Sequence, residues 1–411
     1  MTRIVRPALA ATAVLATLVL TACSSGTPGA SGDQTATTAP TQSTACATSP
    51  AAGGSPAAAG GAPAAAGGSP AAAGGSPAAA PGGANPAAGA AIPIAKTIKP
   101  TDNSTSIVYT ATGPEITCGR TGLTMHSDVV YATPTASGGQ KITLKLDIQT
   151  PDTTGTKPLV IYLTGGGFVQ ADKQGNLDQR TWIAEQGYAV ASIEYRTVTN
   201  GHATYKDAVA DVKSAIRYLR AHADEYGIDP ANVAVWGQSA GGYLAGMTGA
   251  TNGEKQFDAG DNLDRSSDVQ AVVDEFGPSD LSKLAADYDT ATQNANYIPG
   301  NSAAQWVYGQ GTKKSIKDDT PAIQAADPAT HVSAKTPPFI ELHGSQDHLV
   351  SPSQTLIVHD ALRAKGIEST RYVLVGADHG DLSFTGNTTA AKPWNTQETM
   401  THILDFLNRH L

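Results

Sequence analysis

Val233-Ala234-Val235-Trp236-Gly237-Gln238-Ser239-Ala240-Gly241-Gly242 is the stretch on which the reading of this chain turns. It is a Gly-x-Ser-x-Gly motif set between an apolar run that reads as a strand and a segment that reads as a helix. A serine at a sharp strand-to-helix turn is pushed outward at the strand's C-terminal edge. Glycines two before and two after it relieve the crowding of that strained turn. The helix that follows aims free backbone N–H groups at the same place, where a developing oxyanion needs donors. In a chain with 43 glycines the five-residue pattern alone carries little weight. Its flanks give it meaning, because they are the ones a nucleophilic serine requires.

Working outward, strands and helices alternate on both sides of the motif. Residues 141–148 alternate as a half-buried strand does. Residues 159–163 and 188–193 are continuous apolar runs, the mark of strands covered on both faces. Val209, Val212, Ile216 and Leu219 share one face of a helix, with Asp211, Lys213 and Arg217 elsewhere, and Gly227 supplies a stop. Further strands are expected at 233–236, 269–273, 339–342 and 371–375, and helices at 356–364 and 396–407. This pattern predicts an α/β protein with a mainly parallel sheet and helices on both faces. Residues 281–335, rich in Ala, Asp, Asn, Gln and Tyr, show no clean strand and read as a cap insertion.

A serine needs a base, and the oxyanion it generates needs hydrogen-bond donors. Thr164-Gly165-Gly166-Gly167-Phe168 follows a buried strand, and its glycines let the backbone approach a substrate carbonyl. With the residue after the serine, this gives Gly166, Gly167 and Ala240 as candidate oxyanion donors. The plainer reading is a glycine turn without a ligand. A dinucleotide site fits worse, because the G-x-G-x-x-G spacing is absent. In the order serine, acid, histidine, the base must lie late. His379, after the last strand, is the candidate, ahead of His343, His348 and His359. Asp347, in the loop after the strand at 339–342, is the candidate acid, with Asp280 the runner-up. Asp378 adjoins His379, but neighbours in extended chain point apart.

The rest of the chain bounds where such chemistry would occur. Arg3 and Arg6 precede an apolar stretch too short to span a bilayer with ease, which ends in Leu20-Thr21-Ala22-Cys23. That tetrapeptide resembles a bacterial lipobox, so residues 1–23 read as a lipoprotein signal. Acyl chains on Cys23 would hold the chain to a membrane surface. Secretion with an incidental cysteine is the alternative. Residues 24–97 are a linker of Ala, Gly, Pro, Ser and Thr, unable to bury enough apolar surface to offset its ordering entropy. As a coil of about 70 residues it would reach on the order of 45 Å. Residues 98–411 then form one folded domain. Cys46 and Cys118 are left as either a disulfide or two free thiols. The net charge of −9 comes without a Lys/Arg run, which argues against nucleic acid as a partner. No Cys/His cluster calls for a metal, and no cofactor is expected.

Together these motifs resemble the esterase/lipase branch of the α/β-hydrolases that includes hormone-sensitive-lipase-like esterases. They are most similar to the group of bifunctional xylan deacetylase/feruloyl esterases. The likeness runs from about residue 141 onward. It includes Gly187-Tyr188-Ala189-Val190, Glu194-Tyr195-Arg196, Tyr226-Gly227-Ile228-Asp229-Pro230, the serine motif, and His343-Gly344 with Asp347. It implies the α/β-hydrolase fold, a triad of Ser239, Asp347 and His379, and an oxyanion hole of Gly166, Gly167 and Ala240. It implies hydrolysis of carboxylic esters, of small molecules or linked to polysaccharide. Two departures stand out. Thr164 replaces a histidine that supports the glycine loop, and Gln238 replaces a common acidic residue, removing one charge beside the serine. The rivals are a serine peptidase on the same fold and a non-catalytic envelope-binding protein.

Overall fold

A computed structural model describes residues 44–46, 93–380, 389 and 392–411. Residues 1–23, expected to be a lipoprotein signal ending at Cys23, and most of the linker lie outside the described residues. The strands are β1 (Thr44–Ala45), β2 (Ile107–Tyr109), β3 (Thr117–Cys118), β4 (Leu123–Ala132), β5 (Leu144–Pro151), β6 (Lys157–Leu163), β7 (Ala189–Ile193), β8 (Ile228–Gln238), β9 (Ala271–Glu275), β10 (Phe339–Gly344) and β11 (Ser369–Leu374). Nine of them form one sheet in the order β2-β11-β10-β9-β8-β6-β7-β5-β4. Pairing is parallel from β2 through to β7, and antiparallel from β7 to β5 and from β5 to β4.

The helices are α1 (Leu177–Glu185), α2 (Tyr205–Ala221), α3 (Ala223–Tyr226), α4 (Ala240–Ala250), α5 (Thr290–Asn296), α6 (Ser302–Tyr308), α7 (Thr320–Ala325), α8 (Pro328–His331), α9 (Ser353–Ala364) and α10 (Gln397–His410). They cover both faces of the sheet, which is why the central strands are apolar throughout rather than alternating. Leu159, Ile161 and Leu163 of β6 and Val233 and Val235 of β8 pack with Val209, Val212, Ile216 and Leu219 of α2 and Leu244 and Met247 of α4. Their strand neighbours Val160, Tyr162, Ala234 and Trp236 point the other way, against Trp182 of α1 and Met400, Ile403 and Phe406 of α10. This is the α/β-hydrolase arrangement.

Helix α2 starts with a capping box between Thr204 and Asp207. Asp211, Lys213 and Arg217 leave its apolar face but do not reach solvent. Asp211 pairs with Arg196 at 2.8 Å, Lys213 donates to the Thr251 carbonyl, and Arg217 meets Asp258. Gly227, in the left-handed region at φ 65, closes α3 rather than α2. Residues 281–335 lie between β9 and β10 and hold the short helices α5 to α8. Each starts at a side-chain cap: Asp289 on Thr292 N, Asn301 on Ala304 N, Asp319 on Ala322 N and Asp327 on Ala329 N. The Asp and Asn content that hid any periodicity in the sequence is the capping material of helices too short to show one.

Strand β1 pairs antiparallel with β3 apart from the main sheet, and Cys46 is disulfide-bonded to Cys118. The choice left open by the sequence falls on the disulfide. Ala95, Ala285 and Tyr288 form a small separate core, so the folded part reaches back before residue 98.

Candidate active site

Ser239 sits at the junction of β8 and α4 with φ 55 and ψ −121, a conformation costly for any residue with a side chain. Backbone contact makes the turn possible. A Cβ on Gly237 would lie 2.1 Å from the Gly241 carbonyl oxygen, and one on Gly241 would lie 2.0 Å from that of Leu163. The elbow is closed by main-chain surfaces that only glycine allows to touch. Ser239 N–H donates to the Glu275 carbonyl on β9 and Tyr243 N–H donates to the Ser239 carbonyl, so strand and helix both grip the turn.

The late loops bring the candidate base and acid to it. Ser239 Oγ lies 2.8 Å from His379 Nε2, and His379 Nδ1 lies 2.8 Å from Asp347 Oδ2. A carboxylate can only accept, so Nδ1 carries the proton and Nε2 is free to accept the serine hydroxyl proton. Asp347 is fully buried. Its Oδ1 accepts the N–H groups of Leu349 and Val350, and its Oδ2 also lies 3.0 Å from His343 Nε2. Burial alone would raise this carboxyl. The charge of His379 and hydrogen bonds from both histidines outweigh it and hold Asp347 well below the usual carboxylate range.

The loop carrying His379 is bound to the loop carrying Asp347. Gln346 N–H donates to the Ala377 carbonyl, and Gly376 N–H donates to Ser345 Oγ. A Cβ on Gly344 would meet the Ala377 oxygen at 2.4 Å, so glycine is needed for this approach. Asp378 accepts the His379 and His348 N–H groups, and its Oδ2 meets His348 Nδ1 at 2.9 Å. It therefore clamps the two loops and does not face the serine. The Phe276 ring stands edge-on to the His379 imidazole, with centroids 4.7 Å apart.

The glycine loop lies beside the serine. Gly166 has φ 154, Gly167 φ 59 and Phe168 φ 65. The N–H groups of Gly166, Gly167 and Ala240 have no partner among the described residues. Where the resemblance puts a supporting histidine, Thr164 is held by its carbonyl, which accepts the Tyr195 hydroxyl proton at 2.7 Å. Val198 N–H donates to the Phe168 carbonyl, and the hydroxyls of Thr197 and Thr199 donate to that of Val169. Tyr195 thus has a task the sequence alone did not reveal, although its Glu-Tyr-Arg setting marked the position. Trp306 of α6, in the cap insertion, stacks on Phe168 with ring centroids 4.7 Å apart.

The other candidates are elsewhere or differently engaged. Asp280 caps Ser282 N–H and pairs with Lys283 at 2.9 Å, away from His379. His359 meets Ser369 Oγ and the Thr105 carbonyl. Gln238 does not leave the site without a carboxyl. Its amide donates to Glu275 Oε2 at 2.8 Å, which also accepts the Trp236 indole N–H at 2.7 Å. Burial pushes Glu275 up to about 7 despite those two hydrogen bonds.

A family model described as BD-FAE matches residues 146–362, which includes Ser239 and Asp347 and stops before His379. Among curated proteins the chain is 31% identical over 213 residues to the probable carboxylic ester hydrolase LipM of Mycobacterium tuberculosis, covering 52% of this chain and 46% of LipM. It is 31% identical over 229 residues to esterase LipC of the same organism, covering 54% and 53%. The chain thus spans about half the length of the curated relatives it matches. Among solved structures, a truncated carbohydrate esterase from gut microbiota aligns with TM-score 0.58 at 23% identity, covering 70% of this chain and 96% of that one. A bifunctional GH43-CE protein of Bacteroides eggerthii aligns with TM-score 0.57 at 28% identity, covering 70% and 38%.

Proposed function

The chain belongs to the BD-FAE family, and from that premise we propose that it hydrolyses carboxylic esters by acyl transfer through Ser239, His379 and Asp347. One observation carries this reading: the unbroken hydrogen-bonded series from Ser239 Oγ through His379 to Asp347, set beside unpartnered backbone N–H groups. His379 Nε2 takes the serine proton as Oγ attacks the ester carbonyl. The N–H groups of Gly166 and Ala240, assisted by Gly167, receive the oxyanion. The tetrahedral intermediate collapses as His379 protonates the departing alcohol. Water, deprotonated by the same imidazole, then releases the acid and restores the serine. Asp347 stays ionised throughout, fixing the tautomer and stabilising the imidazolium.

The names of LipM and LipC support an ester over an amide. The decisive assay compares p-nitrophenyl acetate with an aminoacyl p-nitroanilide. Ester turnover is expected, and it should fall by about 10⁴-fold or more in Ser239→Ala. Faster anilide cleavage would make the chain a peptidase. No turnover of either, with no labelling of Ser239 by a fluorophosphonate, would leave a binding protein. Acetylated xylan and p-nitrophenyl esters of increasing acyl length then rank the substrates.

The site works at the cell envelope in this reading, held there by acyl chains on Cys23. The Leu20-Thr21-Ala22-Cys23 tetrapeptide supports this, as does a disulfide, which persists in oxidising compartments. In a bacterial host, the chain should partition into detergent and Cys23→Ala should not. Equal partitioning of the two would contradict the anchor.

A further inference from the structure

His343 competes with His379 in the sequence and is not near the serine, yet it touches the acid. Its Nε2 lies 3.0 Å from Asp347 Oδ2 and 3.2 Å from the Val350 carbonyl oxygen. Both are acceptors, so Nε2 must carry a proton. The other ring nitrogen, Nδ1, lies 3.0 Å from Thr355 Oγ1. Thr355 Oγ1 in turn accepts the Nε–H of Arg371 at 2.9 Å. A guanidinium can only donate, so the single Thr355 hydroxyl proton is left to point at His343 Nδ1. Arg371 is itself fixed: its remaining donors reach Asn103 Oδ1, Ser106 Oγ and the Pro352 carbonyl. Arg371, Thr355 and His343 are each essentially fully buried, so water does not compete for these bonds.

We propose that His343 is a positioning residue for the triad, locked by Arg371 and Thr355 as the Nε2–H tautomer so that it holds the Asp347 carboxylate in register with His379. The role rests on the ester-hydrolase reading above. Donor and acceptor assignments close along the whole series, from Arg371 to Thr355, to His343, to Asp347, to His379 and to Ser239. Burial keeps the His343 imidazole below its ordinary range despite its contact with Asp347, consistent with a neutral ring whose one proton is on Nε2. Asp347 Oδ2 is thereby gripped from two sides, leaving it one orientation toward His379.

The test is a ¹⁵N spectrum of the histidine rings in the whole chain, together with the kinetics of Thr355→Val and Thr355→Ser on p-nitrophenyl acetate. In the unmutated chain His343 should appear as the neutral Nε2–H tautomer. An Nδ1–H tautomer overturns the proposal without any variant. Thr355→Val should strip His343 Nδ1 of its donor, shift that nitrogen's ¹⁵N signal, loosen the ring and lower kcat about tenfold at an unchanged KM, part of the 10²–10⁴-fold that a positioned base contributes. Thr355→Ser, which restores the hydroxyl, should restore both the signal and kcat. A Thr355→Val chain with unmutated kcat and an unmutated His343 signal overturns the positioning role alone. An unmutated chain that turns over no ester removes the reading beneath it, and the proposal with it.

Discussion

Asp274 and Asp347 are both buried aspartates at the C-terminal side of the sheet, and they end in opposite charge states. Asp274, near the end of β9 beneath the nucleophile turn, accepts the Gly277 N–H at 2.9 Å. Burial, with the charge of Glu341 nearby, pushes it up to about 8. Asp347 is at least as buried, but two backbone N–H groups and two imidazoles face it, and its carboxyl falls well below the usual range. Burial therefore does not by itself decide the charge of a carboxyl in this molecule. At Asp347 the charge of His379 and the hydrogen bonds of both histidines outweigh it, whereas Asp274 is met by the Gly277 N–H and neighbouring carboxylates. The nucleophile side is a main-chain structure with neutral or near-neutral carboxyls packed beneath it. The acid–base side is a hydrogen-bonded cradle built around one anion.

If that contrast holds, equivalent substitutions on the two sides should have unlike consequences. Asp347→Asn is expected to have the largest effect, a fall in kcat of about 10⁴-fold, because an amide cannot fix the base in the right tautomer. Steady-state kinetics with a circular-dichroism check on folding would measure it; a loss below about tenfold would argue against the cradle. Asp274→Asn should leave kcat near unmutated while changing how stability depends on pH. An acid whose pKa is raised on folding binds its proton more tightly in the folded state. Stability is thus fully present below its unfolded value of about 3.9 and falls as pH rises toward 8. The asparagine variant should lose most of that decline, on the order of 3–5 kcal/mol across the range. Thermal melts from pH 5 to 8 read this directly, and parallel curves for the two chains would refute it. Glu275→Gln should flatten the same curve less, by on the order of 2–3 kcal/mol, with its change complete near pH 7. Asp347 carries the opposite sign. Its contribution is present above about pH 4 and is lost as acid protonates the folded carboxyl.

How much of this could be read from the sequence follows from what enforces each part. The central strands and the serine turn were legible because they are specified by backbone requirements: continuous apolar runs for strands covered on both faces, and glycines where two main chains touch. The meeting of Ser239, Asp347 and His379 was legible from chain order, since β10 and β11 end in the loops that carry the last two. Strand β4 was not, because much of it is exposed at the sheet edge and its side chains follow no buried alternation. The insertion was recognised only by what it lacked, since helices of four to seven residues are set by caps rather than periodicity. Gln238 read as a lost charge. The pairing of β8 with β9 puts the Glu275 carboxyl in contact with it, a relation that no local pattern contains. His343 reads in the sequence only as a weaker candidate base, for the same reason. Its partners Thr355 and Arg371 come from α9 and β11, and the chain of donors that gives it a role exists only once those elements are assembled.

The claim beneath all of this is that Ser239, drawn into one hydrogen-bonded series with His379 and Asp347, becomes covalently acylated during turnover. Acid-quenching the chain as it hydrolyses p-nitrophenyl acetate and locating the acetyl group by peptide mass spectrometry tests it most directly. A single acetyl group on the peptide containing Ser239, absent from the Ser239→Ala and His379→Ala chains, is expected. Sustained ester hydrolysis with no acetyl group at Ser239, or hydrolysis undiminished in Ser239→Ala, would contradict it.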